Sequence, residues 1–437
     1  MLYSHPQGHV FYRTMNHARP KIAYGKGIYL YDDSGKRYID GSGGPLVVNV
    51  GHGRSEIVDA MTRQAAEAAY VHAIIFTSDV LEQYADALAG VVPIPEARFY
   101  FLSSGSEVVE GAIKLARQIQ IARGEHGRHL VISRSPSYHG MTLGALAVSG
   151  RPGMRTPYLD MLHDVPHIPT PYTYRHPMSG EALAGRLEEI IQAQGPENVA
   201  GFIAEPISGA TLGAAVPPDD YWPRIREICD RYGVLLIADE VLVGFGRTGT
   251  MWGLEHWGVV PDILTVAKGI NSGYVPLGAT VVNERIERAW QKKHAFAGLF
   301  HGYTYSGHAL ACAAALANLK IVADENLPAN AGEVGSYFMG RLAKLMDRHE
   351  IIGDVRGKGL MMAIELVKNR KSKAGFAPDD PIHRKLAHGA RARGAVIRAN
   401  AGKIIISPPL IFTKADADTA TAIFDDLIGD VAKGALA

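Results

Sequence analysis

Six short apolar runs, at 98–102, 130–133, 199–204, 234–239, 263–266 and 278–282, alternate along the middle of the chain with stretches whose apolar residues recur at helical spacing. The runs show little internal alternation, as strands covered on both faces do, and helices at 106–122, 180–194 and 219–232 supply the cover. This pattern predicts an α/β body on a parallel or mostly parallel sheet. Ahead of it, GIYLYDDSGKRYID at 27–40 alternates apolar and polar on both sides of Asp33-Ser34-Gly35, a hairpin pattern. Helical patterns then fill 55–70 and 78–91, while the first twenty residues read as an arm. After an Ala-rich helix at 308–324 the character changes. A helix at 331–349, a strand at 359–366, a helix at 381–393, strands at 395–398 and 403–407 and a last helix from about Asp416 predict an α+β unit.

Composition narrows the class. Of 437 residues, 47% are hydrophobic and 20% charged, which is globular usage and excludes wholesale disorder. Lysine and arginine number 45 against 44 aspartates and glutamates, a net +1 that argues against nucleic acid or an anionic membrane as the main partner. Cys229 and Cys312 are too few for a disulfide framework or a four-thiolate zinc site. No run approaches the ~18 apolar residues of a membrane span, and the N-terminus lacks a signal peptide's apolar core. A cytoplasmic enzyme is the expectation.

Gly244-Phe245-Gly246-Arg247-Thr248-Gly249 matches G-x-G-x-x-G, but the dinucleotide fingerprint must open a helix and the residues that follow have no helical period. Five other segments are more informative. Ser104 and Glu107 have capping-box spacing, so the N–H groups of Gly105 and Ser106 face an anion at a helix N-terminus, or simply belong to a capped helix. Tyr138, in Ser137-Tyr138-His139-Gly140, either stacks on a flat heterocycle or packs in the core. Asp239 ends an apolar strand, where an acid requires a cation: a protonated pyridine nitrogen or an arginine such as Arg247. Lys268 likewise ends an apolar strand, where burial lowers an ammonium's pKa and frees an amine to attack a carbonyl. The fifth is the glycine-flanked turn 301–308. Its histidines, like His163 and His167, lack the spacing of a metal site, and no metal is assigned.

Taken together and in order, SGSEVVEGAIKLAR, SYHG, ADEVLVGFGRTG, AKG and HGYTYSGH resemble the blocks of the class III aminotransferases, pyridoxal-phosphate (PLP) enzymes of fold type I. GHGR at 51–54, VRGKGLMMAIEL at 355–366 and SPPL at 407–410 extend the resemblance over essentially the whole chain. It implies a large PLP-binding domain at 50–310 on a mostly parallel seven-stranded sheet. A small α+β domain would come from 1–49 and 311–437. It further implies that Lys268 takes the cofactor aldehyde and later moves the substrate proton, and that Asp239 holds the pyridine nitrogen protonated. By the same resemblance Tyr138 and Val241 bracket the ring, Gly105 and Ser106 bind the phosphate, and Thr304 reaches the phosphate of the neighbouring subunit in a homodimer or higher oligomer. Glu205 lies on the substrate side.

Departures from the family pattern bear on substrate. Leu242-Val243 replaces the Gln-Thr of ornithine and 4-aminobutyrate members, and Ile405 stands where those members carry an arginine. Arg398, ten residues before Pro408, matches the mobile arginine of the amine:pyruvate (ω) branch, while Pro45-Leu46 replaces its usual Leu-Trp and places Leu46 at the small pocket. The expected activity is ping-pong transfer from a primary amine or ω- or β-amino acid to a 2-oxo acid such as pyruvate. A decarboxylase or aminomutase on the same scaffold, and a silent PLP-binding protein, are the rivals. Release of carbon dioxide, or an amino shift without an acceptor, would identify the former. A single-turnover spectrum with an amine would identify the latter.

Overall fold

The six apolar runs lie side by side in the structure, a computed structural model that describes residues 2–3, 9–13, 19–283, 299–377 and 380–435. With a seventh strand they form one sheet in the order Ala97–Leu102, Gly278–Asn283, Ile263–Val266, Leu235–Asp239, Val199–Ala204, Leu130–Ser135 and His167–Pro169. Gly278–Asn283 is antiparallel to both neighbours, and the remaining pairs are parallel. Every residue of Val199–Ala204 and Leu235–Asp239 is buried, which is why neither alternates. Alternate residues of one strand face opposite layers. Leu235 and Ile237 pack with Val109, Ala112 and Ala116 of the helix Gly105–Ala122, while Leu236 and Ala238 pack with Leu187, Ile225 and Ile228 of the helices Gly180–Gln194 and Tyr221–Tyr232.

A second core joins the two ends of the chain: Ile28, Ile39 and Ile57 pack with Phe338, Ile364, Leu386 and Phe424. It carries two four-stranded sheets, one built on the N-terminal hairpin and one on Ile352–Lys358, Met361–Leu366, Lys403–Ile406 and Arg398–Asn400. The helix Ala309–Asp324 serves both cores, giving Cys312 and Leu319 to one and Ile321 and Val322 to the other. A helix covered nearly all round has little room for side chains, and this accounts for its run of alanines. Among the described residues no helix is long and apolar enough to cross a membrane.

Several elements differ from expectation. The strand Ile352–Lys358 and the three-residue edge strand His167–Pro169 were not anticipated, and the helix expected at 331–349 runs over Leu327–Ala343. The strand expected at 395–398 divides. Ala395–Val396 pairs with Ile39–Asp40 in one sheet, and Arg398 opens a strand in the other, opposite Ile405. Arg398 therefore stands where the chain crosses between sheets.

Candidate active site

Six of the seven strands of the large sheet run in one direction, and most of the residues singled out above leave their C-terminal ends. In such sheets this edge is the ligand edge. Ala204 pairs with Ala238 and Asp239 with Thr265, so Glu205, Asp239 and the segment reaching Lys268 emerge from three adjacent strands. Leu130–Ser135 brings in Tyr138 and His139, and Ala97–Leu102 brings in Gly105 and Ser106. Between them lies a cavity of about 150 Å³ lined by Ser104, Gly105, Ser106, Tyr138, His139, Gly140, Glu205, Asp239, Val241, Leu242 and Lys268.

At one end of the cavity the helix Gly105–Ala122 begins. Ser104 Oγ accepts the Glu107 N–H at 3.3 Å, as the spacing implied, but the Glu107 carboxylate accepts the N–H of Ser103 at 2.7 Å, one residue earlier than a capping box requires. The amides of Gly105 and Ser106, in the first turn, have no intrahelical acceptor and remain for an anion. A Cβ on Gly105 would come within 3.2 Å of Val241 Cγ1, narrowing the space between these amides and the Val241 wall.

Asp239 is 4% exposed. Its Oδ1 accepts the Val241 N–H at 3.1 Å and the Thr265 hydroxyl at 3.4 Å. Oδ2 lies 2.6 Å from Nδ1 of His139, a contact that requires the imidazole proton on Nδ1 when the acid is ionised. His139 is itself buried, and its N–H donates to Ser149 Oγ at 2.8 Å. Held on both oxygens, the carboxylate is fixed in direction. Arg247, the alternative partner weighed for it, points elsewhere. Its fully buried guanidinium donates to Asn49 Oδ1 at 2.7 Å and to the carbonyls of Leu360 and Pro408, and burial lowers its pKa to about 9. The glycine-rich segment around it is a string of turns, as its lack of helical period implied.

Lys268 follows its strand after a single residue, Ala267, and has φ +47°, a left-handed conformation that costs a residue with a Cβ roughly 1–2 kcal/mol. Burial, opposed by Asp239 and Glu205 and aided by Arg398, pulls its amine down to about 8. Glu205 is buried, its Oε1 accepts the Gly209 N–H at 3.1 Å, and desolvation raises its pKa. Its Oε2 has no partner among the described residues. The set therefore offers an anion cradle, an aromatic ring and an apolar side chain lining one cavity, a fixed carboxylate and a partly neutral amine. Those are the groups that a phosphorylated pyridine aldehyde requires.

Three candidates lie apart from the cavity wall. Thr304 is exposed, its carbonyl accepting the Tyr70 hydroxyl at 2.9 Å. Arg398 is half-buried beyond Tyr138. Leu46 is enclosed. The turn at Gly43–Leu46 gives it φ +62° and folds its side chain, 1% exposed, into an apolar cluster with Ile207, Val243 and Ile405 instead of the cavity wall. His139 has no role that its sequence neighbours imply. Its partner is a hundred positions away, so only its place beside an aromatic after a strand could have marked it.

Comparison with known proteins accords with this geometry. The family model "Aminotransferase class-III" matches residues 12–428. A putrescine–pyruvate aminotransferase of Pseudomonas aeruginosa is 36% identical over 98% of this chain and 94% of its own. Among solved structures, an amine transaminase from an uncultivated Pseudomonas species in its PLP-bound form is 41% identical over 98% of both chains, with a TM-score of 0.91. An (S)-enantioselective ω-transaminase from Thermomicrobium roseum is 39% identical over 95% of this chain and 93% of its own, with a TM-score of 0.90.

Proposed function

Because the chain belongs to the class III aminotransferases, we propose that it transfers an amino group from a primary amine or an ω- or β-amino acid to a 2-oxo acid such as pyruvate, in a ping-pong cycle on pyridoxal 5′-phosphate. Once bound, the cofactor supplies an electron sink for the charge that develops on the substrate carbon. The chain supplies the rest. Gly105 and Ser106 hold the phosphate at the helix N-terminus, and Tyr138 and Val241 bracket the ring. Asp239, steadied by His139, keeps a negative charge opposite the ring nitrogen. Lys268 would hold the cofactor aldehyde and, when free, would take a proton from the substrate carbon, for which an amine titrating at about 8 is suited near neutral pH. Glu205 faces the substrate side, and Arg398 receives the carboxylate of the acid substrate. Leu46 shapes the small pocket from behind, through its packing on Val243.

The single observation that carries this reading is the meeting of Lys268 and Asp239 in one cavity, at the ends of neighbouring parallel strands. The active site is completed by a second copy of the chain. Thr304 is exposed near the aromatic pair Tyr70–Tyr305, and Ile74, Ile75 and Phe76 are exposed in the loop that follows Tyr70. Apolar residues exposed in this way belong to interfaces. The large domain at 50–310 and the small domain from both chain ends belong to the same reading; the two cores support the division, with Ile57 and the helix Ala309–Asp324 crossing it. Adding 1-phenylethylamine to the PLP-loaded protein should convert the cofactor's visible absorbance to that of pyridoxamine phosphate, and pyruvate should reverse it. Carbon dioxide release, or an amino shift with no acceptor, would replace this function with decarboxylation or mutation of the substrate.

A further inference from the structure

Glu365 is a carboxylate that the mechanism leaves unused, inside a fully buried strand, Met361–Leu366. It is 1% exposed, and both its oxygens are held. Oε1 accepts from Nε of Arg175 at 2.9 Å. Oε2 accepts from the Tyr172 hydroxyl and lies 2.8 Å from Nη2 of Arg356. The Arg356 guanidinium also donates from Nη1 to Asp354 at 2.6 Å and lies over the Tyr172 ring, 4.9 Å from its centroid. Its remaining donors point towards the chain that leaves the strand Val199–Ala204. Nε donates to the Gly213 carbonyl at 2.7 Å, and Nη2 to the Leu212 carbonyl.

Those two carbonyls belong to a turn with little slack. Gly213 and Ala214 have φ of +74° and +49°, a region that a residue with a Cβ rarely adopts. Their N–H groups both donate to the Gly209 carbonyl, at 2.9 and 3.3 Å. A Cβ on Gly213 would fall 3.0 Å from Ala363 Cβ, so the turn lies directly on the strand that carries Glu365. The other end of the turn backs the cavity. The Gly209 N–H donates to Glu205 Oε1 at 3.1 Å, and a Cβ on Gly209 would fall 2.2 Å from Leu242 Cδ1. Glu205 and Leu242 both line the cavity. One run of contacts thus leads from Glu365, through Arg356 and the turn, to the cavity wall.

A turn in a sparsely populated conformation persists only while its surroundings determine it. Leu212 and Gly213 are buried, and a buried carbonyl without a donor is costly. A guanidinium presents its donors in a fixed fork that reaches two successive carbonyls at once, which an ammonium does not. We propose that Arg356, fixed by Glu365, is a positioning residue for the amine: it clamps the turn at 209–214 and so sets the direction of the Glu205 carboxylate in the cavity wall. An amine arrives as an ammonium, and a buried carboxylate attracts it according to the distance and direction between them. Arg356 does not line the cavity and acts through the turn. This inference rests on the aminotransferase reading for the identity of the substrate, and adds a residue outside the cavity that governs how firmly the amine is held.

The test is Arg356→Lys, which keeps a cation beside Glu365 and gives up the fork. In the PLP-loaded enzyme, hydrogen exchange at the amides of 209–214 should become at least about tenfold faster than in the unaltered chain. In the half-reaction with 1-phenylethylamine the half-saturating amine concentration should rise about tenfold, while the limiting rate and the PLP affinity stay within about twofold. Glu365→Gln, which loosens the hold on Arg356 and keeps the volume, should move half-saturation the same way. Glu205→Gln leaves no charge to direct, so adding Arg356→Lys to it should change half-saturation by less than about twofold. Unchanged exchange at 209–214 in Arg356→Lys would overturn the clamp. Half-saturation and limiting rate worsening together, or a loss of PLP affinity, would make Arg356 a support of the fold at large and overturn its positioning role. So would full additivity with Glu205→Gln. Hydrogen exchange needs no turnover, so the two readings fail separately. Faster exchange in a protein that leaves amines unreacted keeps the clamp and loses the transamination reading. An enzyme that converts amines, with exchange and half-saturation untouched by Arg356→Lys, does the reverse.

Discussion

The amine of Lys268 provides a quantitative test of the site. With a midpoint of about 8 it is roughly one-tenth neutral at pH 7, whereas an ordinary lysine near 10.5 is roughly 0.03% neutral, about three-hundredfold less. The perturbation is pH, applied to protein freed of cofactor, and the assay is the initial rate of borohydride-trapped PLP attachment at Lys268. The rate should climb with pH and level off around 8, because beyond that point nearly all of the nucleophile is already neutral. Substituting Arg398 by glutamine removes one of the forces holding the midpoint down, so the plateau should move to higher pH. A rate still rising tenfold per unit at pH 9 would refute the reasoning, since it would mean that the strand-end position does not desolvate the ammonium.

Other predictions follow from the same cavity. In cofactor-free protein the folded midpoint of Lys268 lies below the unfolded one, so between about 8 and 10.5 the unfolded chain holds a proton that the folded chain has released, and stability rises with pH there. Lys268→Met should therefore raise Tm at pH 7, with the advantage over the unaltered chain closing by pH 10.5; a gap that widens with pH contradicts the sign. Asp239→Ala should slow the amine half-reaction about a hundredfold or more while weakening amine binding far less, because the charge it steadies develops on the way to the transition state; near-normal stopped-flow rates would make the acid structural. Mixed dimers of Lys268→Ala and Thr304→Ala chains should regain one site with full PLP affinity, and affinity as poor as in the Thr304→Ala homodimer would place the contact within one chain.

The sheet was legible because burial on both faces leaves a plain mark, an apolar run without alternation, at Val199–Ala204 and Leu235–Asp239. The acid at 239 and the lysine at 268 were legible for the complementary reason: a charge at the end of such a run has to be accounted for. What escaped depends on contacts that no local pattern records. Ile352–Lys358 holds Gly353, Arg356 and Gly357 and is half-buried through most of its length, so it reads as a loop. His139 finds Asp239 through the adjacency of strands, and Arg247 is satisfied by an asparagine and by carbonyls, which every residue carries. The left-handed turn that carries Leu46 into an apolar cluster is equally hidden, because a leucine does not advertise a positive φ.

The bonds of Arg247 also constrain the order of biosynthesis. Its guanidinium is gripped by Asn49, by Leu360 and by Pro408, one partner from each of three regions that leave the ribosome far apart in time. A nascent chain halted before residue 408 has already made every strand of the large sheet, yet lacks a carbonyl that this cation requires once enclosed. Water must keep access to it until Pro408 has been added. The segment that follows Asp239 therefore closes only after the small-domain strands that precede Pro408 have been made.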